Sequence, residues 1–253
     1  MASDRFSAEA AAWDNNPFIH IQSESAWQAI RKQFPGYFGN ANDGSFTGVQ
    51  KPAVLEIGAG TGTLTLRMAP YASQIVAVDA AEGMINALQI KLEKPDAAKN
   101  VTAIYALLED PEDKVLPPAG DGSEGRLKYE LITSHLVLHH IADIPAVLKT
   151  MYGCLKPGGW VALTDFEDFG PAARKFHPES KMVGVERHGI PREWMAGLLR
   201  DAGFVDVDVK VAWSTKKTVE KFPGEFGNHA DAANASQGEP MDFPFVLCLG
   251  KKP

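Results

Sequence analysis

Short apolar, β-branched runs alternate along this chain with segments whose apolar residues recur at helical spacing. Pro52 to Ile57, Gln74 to Asp79, Val101 to Tyr105, Glu130 to Ser134 and Trp160 to Phe166 are the runs, each short enough for a buried strand. Between them Leu64 to Met68 resumes apolar character at helical spacing, and helices are expected over about Glu82 to Lys94 and Asp143 to Cys154. Strand and helix in turn predict an α/β fold, a mostly parallel sheet covered by helices on both faces. Pro191 to Ala202 reads as an amphipathic helix with Pro191 near its first position and Gly203 as its stop. Phe204 to Trp213 then alternates with period two through Val205, Val207, Val209 and Val211, and Pro244 to Leu249 supplies a seventh strand.

Three segments fall outside this scaffold. Leu116 to Lys128, rich in Pro, Gly and charge, reads as a solvated loop. Thr215 to Asp242 links the last two strands and is too long for a tight hairpin. Residues 1–48 carry Trp13, Phe18, Trp27, Phe34, Tyr37, Phe38 and Phe46 ahead of the first strand. So many aromatics need burial, either as a lid over the chain's own ligand or against a partner subunit. The division expected is an N-terminal arm over 1–48 and a ligand-binding domain over 49–253.

The junction after the first strand carries the most specific chemistry. Val54-Leu55-Glu56-Ile57-Gly58-Ala59-Gly60-Thr61-Gly62 joins strand to helix through alternating glycines. Glycine there permits positive φ and lets a ligand lie on the backbone. A dinucleotide fingerprint would need its third glycine at position 63, where Thr63 stands. The pattern E-x-G-x-G-x-G favours S-adenosylmethionine (SAM) over NAD. The second strand closes on Asp79, placed to accept hydrogen bonds from ribose hydroxyls or to cap the following helix. Met84, in that helix's first turn, can lie against an adenine ring or belong to the core.

Residues 53 to about 166 resemble the class I SAM-dependent methyltransferase superfamily. The matching pieces are the Glu56 to Gly62 loop, Asp79, Leu107-Leu108-Glu109-Asp110, Leu136 to His140, and Leu155-Lys156-Pro157-Gly158-Gly159. The branch they resemble includes quinone C-methyltransferases and many small-molecule O-methyltransferases. The flanks Trp13 to Pro17 and Phe166 to Gly170 extend the likeness to small fungal methyltransferases that O-methylate polyphenols such as flavonoids. The resemblance implies a Rossmann-like sheet of seven strands, the seventh antiparallel between the fifth and sixth. It implies cofactor contacts from Glu56, Gly58, Gly60, Thr61, Gly62 and Asp79, with Leu108, Glu109 and Ser134 around the adenine and methionine portions, and Trp13 in an aromatic-Asp pair closing over SAM. It makes the expected function methyl transfer to a hydroxyl of a small planar phenolic acceptor. The rivals are a quinone-type C-methyltransferase and a non-catalytic SAM-binding module; an NAD-linked oxidoreductase is disfavoured by the missing glycine.

Methyl transfer is an in-line displacement that needs its reactants held collinear. A phenol, with a pKa of about 10, also benefits from a base or a cation that stabilises the phenolate. His139 and His140, after the fourth strand, are the candidate proton acceptors. If that segment is helical, the two point about 100° apart and do not share a metal. Asp165 ends the fifth strand, where the catechol-type metal-dependent enzymes that this chain partly resembles hold magnesium. Those carry Asp-Asn there and this chain has Asp165-Phe166, so the metal stays unknown and magnesium a secondary expectation. Phe166 to Gly189, with Phe169, Phe176, His177, Met182 and His188, is the expected roof of the acceptor pocket or a packing segment.

Composition narrows the class further. The 253 residues, 45 % hydrophobic and 23 % charged, suit an ordinary globular domain burying roughly 70 to 75 % of its unfolded surface. The net charge of -7 argues against nucleic acid as substrate. Cys154 and Cys248 are expected as buried thiols. The start lacks a signal-like apolar run and no stretch approaches the roughly 20 apolar residues of a membrane span. The expectation is therefore a cytoplasmic enzyme with a small-molecule substrate, no membrane partner, and a homodimer formed through the arm.

Overall fold

The computed structural model describes residues 2–39, 50–120, 122, 124–227 and 237–253. The strands are β1 (Ala53–Ile57), β2 (Gln74–Asp79), β3 (Val101–Tyr105), β4 (Tyr129–His135), β5 (Leu155–Phe166), β6 (Val205–Val219) and β7 (Glu239–Lys251). They form one sheet in the order β3-β2-β1-β4-β5-β7-β6. The first five run parallel, and β7 lies antiparallel between β5 and β6. This is the Rossmann-like, seven-stranded arrangement expected above. The order reverses between β1 and β4, which opens a crevice at the carboxyl ends of those strands.

The helices are α1 (Ala2–Trp13), α2 (Pro17–Gln33), α3 (Pro35–Phe38), α4 (Thr65–Met68), α5 (Glu82–Leu92), α6 (Ile144–Cys154) and α7 (Arg192–Asp201). Asp143 caps α6, accepting from the backbone N–H of Ala146 at 2.9 Å. α4 is a single turn, extended by a 3₁₀ turn over Ala69–Tyr71. Gly203, φ 98°, ends the turn after α7. β1 is buried along its whole length because its parallel neighbours and the helices cover both faces.

Two departures from expectation have physical causes. The β6–β7 hairpin runs much further than the apolar pattern indicates, with Lys216 paired to Asp242 and Val219 to Glu239. The extra residues of β6, Ser214 to Thr218, are all polar and only their burial alternates along a half-exposed ribbon, so composition made them read as loop. The arm meanwhile does not stand apart from the sheet. Trp27, Ile30, Phe34 and Phe38 form one core with Leu64, Met68, Leu131, Leu247 and Leu249, and Trp27 meets Phe38 edge-on at 5.0 Å. The arm's aromatic content therefore no longer argues for a partner subunit; Phe46 and the expected boundary near 48 lie outside the described residues. No helix among the described residues is long and apolar enough to cross a membrane.

Candidate active site

Gly58 leaves β1 at φ 76°, and its N–H and that of Ala59 donate to Val78 O at 2.8 and 3.0 Å. A Cβ on Gly58 would fall 2.2 Å from Val137 Cγ2, so backbone conformation and space both require glycine. Gly60, φ 55°, has open space where a Cβ would point. Its N–H donates to Asp79 Oδ2 at 2.8 Å, while Asp79 Oδ1 accepts from Ala81 N at 2.8 Å. Asp79 thus ties the glycine loop to the start of α5, whose capping position is Ala81. Burial raises its pKa above the ordinary carboxylate value.

Glu56 lies beneath this loop, buried, and accepts from Thr65 Oγ1 at 2.5 Å. Burial pushes its pKa up to about 8, the Thr65 hydroxyl opposes that, and Asp79 adds to it. Thr61 and Gly62 do not face the same space. Thr61 Oγ1 donates to Asp14 Oδ1 at 2.6 Å, and Asp14 Oδ2 is 2.6 Å from Lys91 Nζ. The arm is therefore latched to the glycine loop through Asp14, beside Trp13.

A cavity of about 1290 Å³ opens above the reversal point. Its loop end is lined by Glu56, Gly58, Gly60, Asp79, Met84 and Leu108, with Trp13 and Glu109 at the edge. Ser134 is not among its lining residues. Its hydroxyl donates to Ile57 O at 2.8 Å and is fully buried, because neighbours along β4 point to opposite faces and His135 takes the open one.

The far end is walled by His139, His140, His177, Phe18 and Phe176. The chain after β4 passes through Leu136 at φ 58°, a strained conformation for leucine, and enters a 3₁₀ turn over Leu138–His140. Arg187 holds that turn, donating through Nη1 to Leu138 O and Ile141 O, while the backbone N–H of Glu186 donates to His139 O at 3.0 Å. Although a 3₁₀ turn spreads neighbouring side chains by about 120°, the His139 and His140 rings fold toward each other to 3.9 Å between centroids, which overturns the expectation that neighbouring histidines point apart. His177, placed after the turn Pro171–Phe176, stands 5.0 Å from His139. Burial lowers the pKa of His140 to about 3 and drives that of His177 far down.

Asp165 is completely buried and does not line the cavity. Its Oδ1 and Oδ2 lie 2.8 and 2.9 Å from His139 Nδ1, and they accept from the backbone N–H groups of Phe166 and His139 at 2.8 and 3.1 Å. These contacts overturn the magnesium expectation at Asp165, since no carboxylate oxygen there faces the open space. Of the expected roof, Phe176 and His177 line the cavity; Phe169, Met182 and His188 do not. Lys217 and Val219, from the hairpin extension, line it without any local sequence signal.

A model of the methyltransferase domain matches residues 21–209, three quarters of the chain and the whole of the sheet up to β6. The chain belongs to this methyltransferase domain family. Among curated proteins it is 28 % identical over 161 residues to an uncharacterized methyltransferase of Schizosaccharomyces pombe, covering 62 % of this chain and 55 % of that one. It is 28 % identical over 123 residues to the tRNA 5-carboxymethoxyuridine methyltransferase of Escherichia coli K12, covering 49 % and 43 %. It is 27 % identical over 161 residues to the ubiquinone biosynthesis O-methyltransferase of Ruegeria pomeroyi, covering 61 % and 58 %. The chain thus spans about half the length of these relatives. In fold it is similar to a SAM-dependent methyltransferase of Thermotoga maritima, described as a possible histamine N-methyltransferase, with TM-score 0.58, 18 % identity and 98 % of each chain covered.

Proposed function

We propose that this methyltransferase uses SAM to methylate a hydroxyl of a small planar phenolic compound. The observation that carries the reading is the single cavity joining the glycine loop to the histidine wall. At about 1290 Å³ it exceeds the roughly 300 to 1,000 Å³ usual for one ligand, which suits a methyl donor and an acceptor side by side.

The loop end fits SAM. Each Asp79 oxygen spends one lone pair on a backbone N–H and keeps another for a ribose hydroxyl. Gly60 leaves its surface bare, Met84 and Leu108 offer buried apolar contact, and Glu109 complements a cationic ligand. When bound, SAM supplies a methyl group already activated by its sulfonium.

The far end suits a flat apolar acceptor with an acidic hydroxyl. Phe18 and Phe176 supply aromatic surface. Asp165 fixes the hydrogen on His139 Nδ1, which leaves the Nε2 lone pair to take the hydroxyl proton as the methyl transfers. The net charge of -7 opposes a polyanionic acceptor, and the ubiquinone O-methyltransferase relative favours oxygen.

The test is incubation with methyl-labelled SAM and separate panels of phenols, quinone precursors and tRNA. Label in an ether-linked methyl is expected. Label on a ring carbon selects the quinone-type reading, label in tRNA overturns the small-molecule reading, and S-adenosylhomocysteine binding without turnover on any panel selects a binding module.

A further inference from the structure

We infer that His139, His140 and His177 form a three-nitrogen binding site for a divalent cation of the zinc class. One ligand atom from each lies within 4.8 Å of the other two. The cluster is assembled from two separate places in the chain, the turn Leu138–His140 and the residue after Pro171–Phe176.

The hydrogen-bond partners settle which nitrogens are available. His140 Nδ1 lies 2.6 Å from Gly184 O, and a carbonyl only accepts, so Nδ1 carries the hydrogen and Nε2 carries a lone pair. Asp165 imposes the same tautomer on His139. A ligating imidazole held from behind by a carboxylate or a carbonyl is the arrangement that fixes ring orientation at metal centres. His177 Nδ1 is buried without a hydrogen-bond partner among the described residues, and a neutral imidazole always has one nitrogen free to accept.

The donor set decides the class of cation. Three imidazoles suit zinc, cobalt or nickel, whereas magnesium and calcium prefer oxygen. Zn–N bonds of about 2.0 to 2.1 Å place tetrahedral nitrogens about 3.3 Å apart, so separations of up to 4.8 Å must close by at most about 1.5 Å, which rotation of His177, whose Nδ1 has no partner among the described residues, can supply. Three protein ligands leave a fourth position, open to the cavity. Arg5 and Lys217 oppose extra positive charge here. Arg5 is turned to Lys181 O and Val183 O, and Lys217 to Phe176 O, while Asp165 sits directly behind His139.

This inference goes beyond the methyl-transfer reading and does not need it. One lone pair cannot hold a cation and accept a proton together, so loading would convert His139 from base to ligand. The test is titration of the chelator-treated full chain with Co²⁺, followed by the visible d–d absorption that distinguishes tetrahedral nitrogen coordination, with SAM absent. One Co²⁺ per chain is expected, displaced by Zn²⁺ and untouched by Mg²⁺. The signal should vanish in His140→Ala and His177→Ala, persist in His188→Ala, and weaken about tenfold or more in Asp165→Asn. Zn²⁺, and not Mg²⁺, should raise the melting temperature of the unaltered protein, a readout that survives if a variant misfolds. No tetrahedral spectrum with no zinc-dependent shift, or a spectrum unchanged in His177→Ala, would overturn the site and leave the methyl-transfer reading standing.

Discussion

Asp165 and His139 form a buried pair in which Nδ1 lies 2.8 and 2.9 Å from the two carboxylate oxygens, the acid fully enclosed and the imidazole at the cavity wall. Asp165 cannot touch an acceptor, so it acts as a positioning residue that holds one tautomer of the ring. In Asp165→Asn the amide can rotate to donate, which moves the hydrogen to Nε2 and removes the lone pair from the cavity. The expected outcome is a fall in kcat of about 100- to 10,000-fold, with little change in KM for SAM. The pH profile should also lose its limb from the base. A loss that appears equally in KM for SAM and leaves that limb in place would show a merely structural role.

Asp79 makes a second separable prediction. Its carboxylate organises the loop through Gly60 and α5 through Ala81, and it lines the end of the cavity assigned to the nucleoside. Replacing a charged acceptor by an amide in Asp79→Asn weakens hydrogen bonds worth about 1.5 to 3 kcal/mol. Calorimetry with S-adenosylhomocysteine should therefore show affinity lower by about 10- to 100-fold. Unchanged affinity would remove Asp79 from the binding role.

The parts of this protein that were legible in its sequence are those fixed by neighbours along the chain. Five parallel strands announced themselves by apolar runs, and the glycine bend by its spacing before a terminal Asp79. Residues whose meaning depends on distant partners were not legible. Asp165 lies next to the end of β5, and only its pairing beside Val246 and its bonds to His139 show that it faces inward. Ser134 and His135 differ by one position and so by one face of β4, which apolar pattern alone does not assign. His177 looked like one polar handle among several, because nothing near it in sequence reveals His139 at 5.0 Å. Arg187, which pins the histidine turn, read only as one charge among several in the expected roof over Phe166 to Gly189, because its carbonyl partners lie 49 and 46 residues away in the chain.

Two glycines of the bend should respond differently to the same methyl group. Gly58→Ala forces a Cβ to 2.2 Å from Val137 Cγ2 at φ 76°, combining strain with overpacking, and should cost about 1 to 3 kcal/mol in urea unfolding. Gly60→Ala meets no atom within 4 Å, so only its φ of 55° is penalised, at about 1 kcal/mol. The new methyl at 60 would stand in the space assigned to SAM. Cofactor affinity should fall in Gly60→Ala by more than stability does, and the reverse order would contradict the placement of the ligand over the loop.

Glu56 and His135 contribute to the pH dependence of stability with opposite signs, and the lowered pKa values of His140 and His177 add to the His135 side. Burial raises the folded-state pKa of Glu56 from 4.5 to about 8, so its contribution is complete below pH 4.5 and is lost as pH rises toward 8. Burial lowers that of His135 from 6.5 to about 4, so its contribution is complete above 6.5 and is lost as pH falls toward 4. Each proton is worth about 1.4 kcal/mol per pH unit. Between pH 4.5 and 6.5 the two slopes oppose each other, while from 6.5 to 8 Glu56 acts unopposed and should remove about 2 kcal/mol. Urea unfolding of the ligand-free, chelator-treated protein should show that decline, and Glu56→Gln, which keeps an acceptor for Thr65 without an ionisable proton, should abolish it. A decline of the same slope in Glu56→Gln would mean that another group titrates there and that Glu56 is ionised when folded.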